Sequence, residues 1–146
     1  MDYVFVYGTL LSGMDNFHLI EPHAARVVAG EVTGELYHLE YGYPALVLGA
    51  GGRVQGEAVR VADMAAALPV LDHLEGYHGP GDAGNLYDRV VCRVKLAGGE
   101  TVEAFTYVWA HPGELDMIGK RVPAGCWREY MARPEHVAEG LPTDRG

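Results

Sequence analysis

Glycine spacing is the feature of this sequence that most constrains its fold. The chain has 20 glycines in 146 residues, about double the average usage of roughly 7%. They follow no fixed period and lie between short apolar stretches, which is typical of many turns joining short strands. With 49% hydrophobic and 21% charged residues, the composition is that of a globular domain. We therefore predict one domain over residues 1–146, with a frayed tail from residue 139.

Short runs rich in β-branched and aromatic residues, or alternating in polarity, predict about six strands. Gly34 interrupts the second run and indicates a bulge. The last two runs, joined by the turn at 97–100, form the clearest hairpin. The predicted strands are Tyr3–Tyr7, Glu31–Leu39, Tyr43–Leu48, Val54–Val61, Tyr87–Leu96 and Thr101–Trp109, with a turn at Gly49–Gly52 between the third and fourth.

Helical signals are short and scattered. Asp63 is a candidate cap for a helix over Met64–Leu68. Pro69 suits the first turn of a second segment that ends at Glu75, and Gly76 suits the position after a helix. The three remaining assignments are weak helical or irregular structure at Asp15–Ala29, a loop at Tyr77–Asn85 and a short helix at Trp127–Met131. Long βαβ units are missing, so we predict an α+β fold: a small mixed β-barrel flanked by short helices.

Charge and cysteine content exclude several classes of protein. Lys and Arg total 11 against 20 Asp and Glu, a net charge of −9, which disfavours nucleic acid or an anionic membrane as the main partner. Two cysteines are too few for a disulfide framework. The first residues lack the basic and apolar regions of a signal peptide, and no apolar run reaches the roughly 18 residues of a membrane span. We expect a cytoplasmic protein with reduced thiols.

The loop after the first strand, Gly8 to Gly13, has the glycine spacing of a phosphate-binding loop. Met14 and Asp15 follow where that motif needs lysine and a hydroxyl residue, so the phosphate interpretation is disfavoured. No Gly-x-Ser-x-Gly surrounds Ser12, the only serine. Two interpretations stay open: a plain glycine turn, or a turn whose backbone N–H groups bind a carboxylate or an oxyanion.

Glu75 is the candidate acid or base. It falls at the C-terminal end of a predicted helix, where the helix dipole disfavours a negative charge. A solvated glutamate there would be unremarkable. If apolar walls enclose it, burial and the dipole both raise its pKa toward neutrality, which suits proton transfer.

Metal and nucleophile motifs are weak. None of the seven histidines forms a His-Glu-x-x-His motif, and the two cysteines lack the spacing of zinc ligands. No local pattern supports a Cys–His nucleophile pair. We predict no metal and no cofactor. Several tyrosines on predicted strands are ordinary core or rim residues, or they line a pocket with an apolar wall and one hydroxyl each.

Several fragments, taken in order, resemble the γ-glutamylcyclotransferase-like superfamily, specifically its AIG2-like branch. They span residues 2–130, and their order is more specific than any one fragment. Gly125-Cys126-Trp127 departs from the Gly-Asp-Trp of many relatives, and the loop at 78–85 is unusually long. The matching fragments are Tyr3-Val-Phe-Val-Tyr-Gly-Thr-Leu10, Gly34-Glu-Leu-Tyr37, Tyr43-Pro-Ala-Leu46, Leu71-Asp-His-Leu-Glu-Gly-Tyr77, Tyr87-Asp-Arg89 and Ala104-Phe-Thr-Tyr-Val-Trp109.

The resemblance implies a small barrel with a cavity at one mouth and an activity on a small γ-glutamyl molecule. In the family reaction the α-amino group of a γ-glutamyl unit attacks its own side-chain carbonyl, releasing 5-oxoproline and a free amine. The resemblance implies that Glu75 is the catalytic acid/base and that residues 7–10, here named the cradle loop, hold the substrate. The implied substrate-binding residues are Tyr7, Gly8, Thr9, Leu10, Tyr87 and Tyr107.

Two competing hypotheses remain at this point. The altered Gly125-Cys126-Trp127 segment and the long loop also suit a binding module that keeps the pocket without the chemistry. A thiol enzyme would use Cys126 as its nucleophile. The sequence leaves open which amine is attached to the glutamyl group and whether the protein is a monomer or a homodimer.

Overall fold

The computed structural model describes residues 1–133, and six strands in one sheet form the body of this part of the chain. The strand order is β3-β1-β5-β4-β2-β6, and β3 also pairs with β2. The strands are β1 Tyr3–Val6, β2 Ala24–Leu39, β3 Pro44–Val61, β4 Tyr87–Leu96, β5 Thr101–Trp109 and β6 Gly119–Arg121.

The β2–β3 pairing closes five strands into a barrel and leaves β6 as an addition outside it. β1 runs parallel to β5, and the other pairings are antiparallel. In the described part of the chain, four helices and two 3₁₀ turns flank the barrel. This confirms the predicted α+β fold with a small mixed barrel. The helices are α1 Phe17–Ile20, α2 Met64–Glu75, α3 Leu115–Ile118 and α4 Trp127–Met131, and the 3₁₀ turns are Glu21–His23 and Pro112–Glu114.

The long β2–β3 hairpin differs from the prediction in one respect. The bulge expected at Gly34 is present, because the pairing register shifts between Thr33 and Gly34. A Cβ at Gly34 would collide with the carbonyl oxygen of Val47. The predicted turn at Gly49–Gly52 was wrong: β2 pairs with β3 on both sides of this segment, so the shift absorbs the extra residues and β3 continues.

The first part of β2 was also missed. The weak helical pattern of Asp15–Ala29 is correct for Phe17–Ile20, but Ala24–Ala29 is strand. This segment pairs with the end of β3 over residues 57–61. Pairing with a long partner strand therefore overrides a weak local signal.

Helix α2 positions the candidate acid. Met64–Glu75 is one helix with Pro69 inside it, not two segments. Asp63 caps it as predicted, accepting a hydrogen bond from the amide of Ala66. Gly76 ends it with a left-handed φ of 66°, which glycine adopts without strain. The buried residues of α2 are Ala67, Leu71 and Glu75, four apart each time, so one stripe of the helix faces the core.

The C-terminal part adds strand β6 against β2 and helix α4. β6 was not predicted, and a strand of three residues carries almost no periodic signal. The short helix predicted at Trp127–Met131 is confirmed as α4. Within residues 1–133, no helix is long and apolar enough to cross a membrane. The tail predicted to fray from residue 139 lies outside the described residues.

Candidate active site

Glu75 is enclosed by the protein. Its exposed fraction is 0%, and it is among the largest fully buried side chains. Two features of the sequence put it there: the 67/71/75 stripe turns it toward the core, and Gly76 ends the helix immediately after it. The solvated-glutamate interpretation is therefore wrong. Burial and the C-terminal end of the helix dipole both oppose a negative charge at this position.

Two tyrosines lie in the electrostatic field of Glu75. Burial raises the pKa of Tyr7 well above its usual value, and the Glu75 carboxylate raises it further. Burial and a hydrogen bond to Asp72 raise the pKa of Tyr107, and Glu75 adds to the rise. The Tyr7 hydroxyl donates to the backbone carbonyl of Tyr107 at 2.6 Å. The structure thus brings Glu75, Tyr7 and Tyr107 together.

A polar chain runs outward from Tyr107. Its hydroxyl donates to Asp72 Oδ1 at 2.6 Å, and Arg89 Nη1 donates to Asp72 Oδ2 at 2.5 Å. The Arg89 guanidinium lies 5.0 Å from the Tyr77 ring centre and 5.4 Å from that of Phe105, within cation–π range. Asp72 and Arg89 are each about one quarter exposed, so the chain links the buried site to the surface.

The cradle loop leaves β1 at Tyr7 and is buried. The exposed fractions of Tyr7, Thr9 and Leu10 are all 0%. Two hydrogen bonds from Asn16 hold the loop at Thr9. The Asn16 side chain donates to Thr9 Oγ1 at 2.9 Å, and the Asn16 backbone N–H donates to the Thr9 carbonyl at 2.8 Å. Among the turn and loop hydrogen bonds of residues 1–133, the amides of Gly8 and Leu10 donate to no backbone carbonyl. They are therefore the candidate donors of the loop.

A second set of contacts holds the chain at Ser12, two residues beyond the cradle loop. The amide and hydroxyl of Ser12 donate to the two carboxylate oxygens of Glu57, at 2.7 and 2.6 Å. Arg128 on α4 donates to the Ser12 carbonyl at 2.8 Å and lies 3.6 Å from the same carboxylate. Ser12, Glu57 and Arg128, here named the loop anchor, tie the loop to β3 and α4. The hydrogen bonds to Glu57 thus give Ser12 a structural role.

Tyr87, another predicted substrate-binding residue, has a different setting. It is 0% exposed, and its hydroxyl donates to the Pro44 carbonyl at 2.5 Å. Its ring meets the ring of Trp109 edge to face. These contacts join the start of β4 to the start of β3 and to the end of β5. A direct role of Tyr87 toward substrate stays a prediction.

The long loop after Glu75 is organised by Asn85, which is 1% exposed. Its side chain accepts from the amide of His78 at 2.7 Å and donates to the Gly79 carbonyl at 2.9 Å. It also donates to Asp88 on β4 at 3.0 Å. The glycine-rich segment is therefore a folded connection between α2 and β4.

Two surface cavities lie away from Glu75, in the gap between β3 and β4. Their volumes are about 320 and 310 Å³, and both include Leu48. The lining of the first is apolar and includes Val47, Val91 and Val108. Neither lining contains Glu75 or a cradle-loop residue. Within residues 1–133, no cluster of three or more His, Cys, Asp or Glu side chains could hold a metal ion.

Part of this arrangement could be predicted from the sequence. Glu75, the cradle loop and Tyr107 are predicted site residues, whereas Asp72, Arg89 and the loop anchor are not. Asp72 carried a usable signal, since it lies three residues before Glu75 on the same helix. Arg89 fell on the polar face of an alternating strand, which usually means solvent. No sequence signal marked Glu57.

The fold and this arrangement agree with one protein family. A sequence profile described as "Gamma-glutamyl cyclotransferase, AIG2-like" matches residues 4–129. The chain belongs to this family. The AIG2-like family is a family of enzymes that act on small γ-glutamyl substrates, so the predicted resemblance and the enzyme class are confirmed.

Related proteins support the same family. The chain is 38% identical over 138 residues to "Gamma-L-glutamyl-butirosin B gamma-glutamyl cyclotransferase" of Niallia circulans, covering 94% of this chain and 81% of the relative. A solution structure from Arabidopsis thaliana is 26% identical with a TM-score of 0.63, covering 94% of this chain and 76% of that one. The crystal structure of YkqA from Bacillus subtilis has a TM-score of 0.65 at 20% identity. That match covers 89% of this chain and 40% of YkqA, and it supports the fold alone.

Proposed function

We propose that this protein is a γ-glutamyl cyclotransferase that works by intramolecular aminolysis with Glu75 as its acid and base. The α-amine of a γ-glutamyl amide attacks the γ-carbonyl carbon of the same molecule. A C–N bond forms to close the five-membered ring, and the amide C–N bond breaks, giving 5-oxoproline and a free amine. The observation that carries the proposal is the burial of Glu75 at the end of α2, where its carboxylate raises the pKa of both Tyr7 and Tyr107.

Glu75 would make the proton transfers. The α-amine is protonated at neutral pH and must lose a proton before it can attack, so a carboxylate is needed as the base. The leaving nitrogen must then gain a proton, which the same carboxyl group returns as the amide C–N bond breaks. The ring nitrogen gives its second proton to the freed carboxylate, which passes it to the released amine. A buried carboxyl group suits both steps because its charged and neutral forms are closer in free energy than they are in water. The nucleophile belongs to the substrate, so this route uses no serine or cysteine of the protein.

The cradle loop would stabilise the negative charge that develops on the γ-carbonyl oxygen. Fixed N–H donors in a water-poor site do this well. The amides of Gly8 and Leu10 are the candidates, and the loop anchor supports their position by holding Ser12. Binding the glutamyl unit in a folded conformation contributes orientation for ring closure. Because Glu75 and the cradle loop are closed to solvent, the packing around them must open for substrate to enter.

The name of one relative supports a proposal for the substrate class. The Niallia circulans relative is named as a cyclotransferase for γ-L-glutamyl-butirosin B. We propose that this chain also releases a small amine from a γ-glutamyl amide. Its net charge of −9 favours approach of cationic compounds. We also propose a cytoplasmic location, since Cys92 and Cys126 are both free thiols.

The test is product analysis on a panel of γ-glutamyl compounds: γ-glutamyl-butirosin B, γ-glutamyl amino acids, γ-glutamyl-lysine and glutathione. We expect 5-oxoproline and the free amine in equal amounts, with no glutamate. A control in ¹⁸O-labelled water should leave 5-oxoproline unlabelled, since water takes no part. Glutamate carrying the label would mean hydrolysis and would contradict the proposal. Absence of any product across the panel would favour a binding module.

A further inference from the structure

The hydroxyl proton of Tyr107 already takes part in a hydrogen bond within the protein, without any substrate. The proton points to Asp72 Oδ1 over a 2.6 Å hydrogen bond. Asp72 is held as an acceptor because its other oxygen, Oδ2, receives Arg89 Nη1 at 2.5 Å. A phenol oxygen has one proton and two lone-pair sites. Toward any further partner, Tyr107 Oη can therefore act only as an acceptor.

Tyr7 contrasts with Tyr107. The Tyr7 hydroxyl donates to the Tyr107 backbone carbonyl at 2.6 Å, and a backbone hydrogen bond from Leu46 to its oxygen lowers its pKa. The Tyr7 hydroxyl group thus has a donor and an acceptor hydrogen bond within the protein. Of the two phenols that Glu75 influences, Tyr107 is the one whose oxygen is available as an acceptor.

The chemistry of amine attack makes this difference matter. An amine attacks through its nitrogen lone pair, so that lone pair must point at the γ-carbonyl carbon. A hydroxyl that donated its proton to the nitrogen would occupy the lone pair and block attack. A hydroxyl oxygen that accepts an N–H does the opposite, because it turns the N–H away and leaves the lone pair available.

We propose that Asp72, held by Arg89, is a positioning residue that makes Tyr107 an acceptor-only group for the α-amine of the γ-glutamyl substrate. Glu75 takes one proton of the ammonium group, and Tyr107 Oη accepts a second N–H. The Tyr77 and Phe105 rings on either side of the Arg89 guanidinium keep it on Asp72. This inference rests on the proposed function, since it assigns a recognition role within that reaction.

The Asp72→Asn variant tests this proposal directly, because the hydrogen bond from Arg89 sets the orientation of the new side-chain amide. Arg89 has only donors, so the amide oxygen faces Arg89 and the amide nitrogen faces Tyr107. The amide nitrogen then donates to Tyr107 Oη, and the Tyr107 proton turns toward the substrate amine. Asp72→Asn should therefore be worse than simple loss of the hydroxyl. Removing the hydroxyl as well should restore activity to the level of Tyr107→Phe alone.

The experiment measures kcat and KM for 5-oxoproline release by wild type, Asp72→Asn, Tyr107→Phe and the double variant. Loss of one hydrogen bond predicts about a tenfold fall in kcat/KM for Tyr107→Phe. Asp72→Asn should lose about a hundredfold, mainly in kcat, and the double variant should match Tyr107→Phe. A double variant no better than Asp72→Asn would overturn the proposal. If wild type itself releases no 5-oxoproline, the proposed function is what fails.

A second arm does not depend on Asp72→Asn folding. A glutaric acid monoamide has the glutamyl skeleton without the α-amine, so it serves as a competitive inhibitor that lacks the proposed contact. Tyr107→Phe should leave its inhibition constant within about twofold of wild type, while the KM for the matching γ-glutamyl amide rises. Equal weakening of both compounds would mean that Tyr107 only supports the structure, and would contradict the proposed role.

Discussion

At Glu75, two physical effects act on the same carboxyl group. It ends helix α2, where the dipole disfavours a negative charge, and it is fully buried, where the charged form loses its hydration. The first effect could be predicted from the sequence, because Gly76 marks the end of the helix. The second could not. Burial depends on where the 67/71/75 stripe meets the barrel, and that is decided by contacts with distant strands.

The reactivity of the two cysteines tests the hypothesis that Cys126 is the nucleophile of a thiol enzyme. Burial raises the pKa of Cys92 to about 12, whereas Cys126 is partly exposed. One thiol should therefore react with a thiol reagent at pH 8 in the native protein, and both should react after unfolding. Cys126→Ala should remove the fast phase and leave 5-oxoproline release within about twofold of wild type. Loss of activity in Cys126→Ala would instead support the hypothesis of a thiol enzyme.

Among the elements, the cradle loop depends most on distant partners. Its entry from β1 and its glycine turn could be predicted from the Tyr-Gly-Thr-Leu fragment. Its anchoring could not, because Glu57 and Arg128 come from strand β3 and helix α4, far along the chain. The turn predicted at Gly49–Gly52 was wrong for a related reason. Continued pairing with β2 carries strand β3 through a glycine-rich segment that would turn on its own.

Breaking the loop anchor should affect substrate binding more than chemistry. Glu57→Ala leaves the Ser12 amide and hydroxyl without their acceptor, so the cradle loop becomes less ordered. Losing two hydrogen bonds predicts about a tenfold rise in KM, with a smaller change in kcat. Steady-state kinetics with Glu103→Ala, an exposed carboxylate on β5, provide the control. An unchanged KM would show that the anchor has no influence on the substrate loop.

At the scale of residues 1–133, the protein is a barrel closed by the β2–β3 hairpin, with a partly buried polar network at the helix α2 side. The fold class followed from the strand pattern and from the missing βαβ units. The ordered motif fragments identified the family. The Asp72–Arg89–Tyr107 chain could be predicted only in part. Arg89 and Tyr107 are direct partners in the β4–β5 hairpin, but the contact of Asp72 on helix α2 with this hairpin depends on the closed barrel.

Stability at alkaline pH reflects the buried phenols. Tyr7 and Tyr107 have raised pKa values in the folded protein, so above pH 10 they ionise in the unfolded chain and stay protonated in the folded one. Their contribution to stability is complete below pH 10 and is lost as the pH rises. Each group lowers the free energy of unfolding by about 1.4 kcal/mol per pH unit there.

Urea unfolding between pH 9 and 11.5 measures this dependence. Cys92 adds to the slope in the same direction, since its pKa is also raised. Wild type and Tyr107→Phe should therefore be compared in the same Cys92→Ala background. The slope should be shallower in Tyr107→Phe by about one proton per molecule. Identical slopes would mean that Tyr107 is not buried as described.

The most direct test of the proposed role of Glu75 is the turnover rate of Glu75→Gln on the best substrate of the panel. Glutamine keeps the size of the side chain but cannot cycle a proton. We expect 5-oxoproline release to fall at least about a thousandfold, with thermal stability equal to or above that of wild type. Glu103→Gln, an exposed carboxylate on β5, should retain full activity. Turnover by Glu75→Gln within tenfold of wild type would contradict the assignment of Glu75 as the catalytic acid and base.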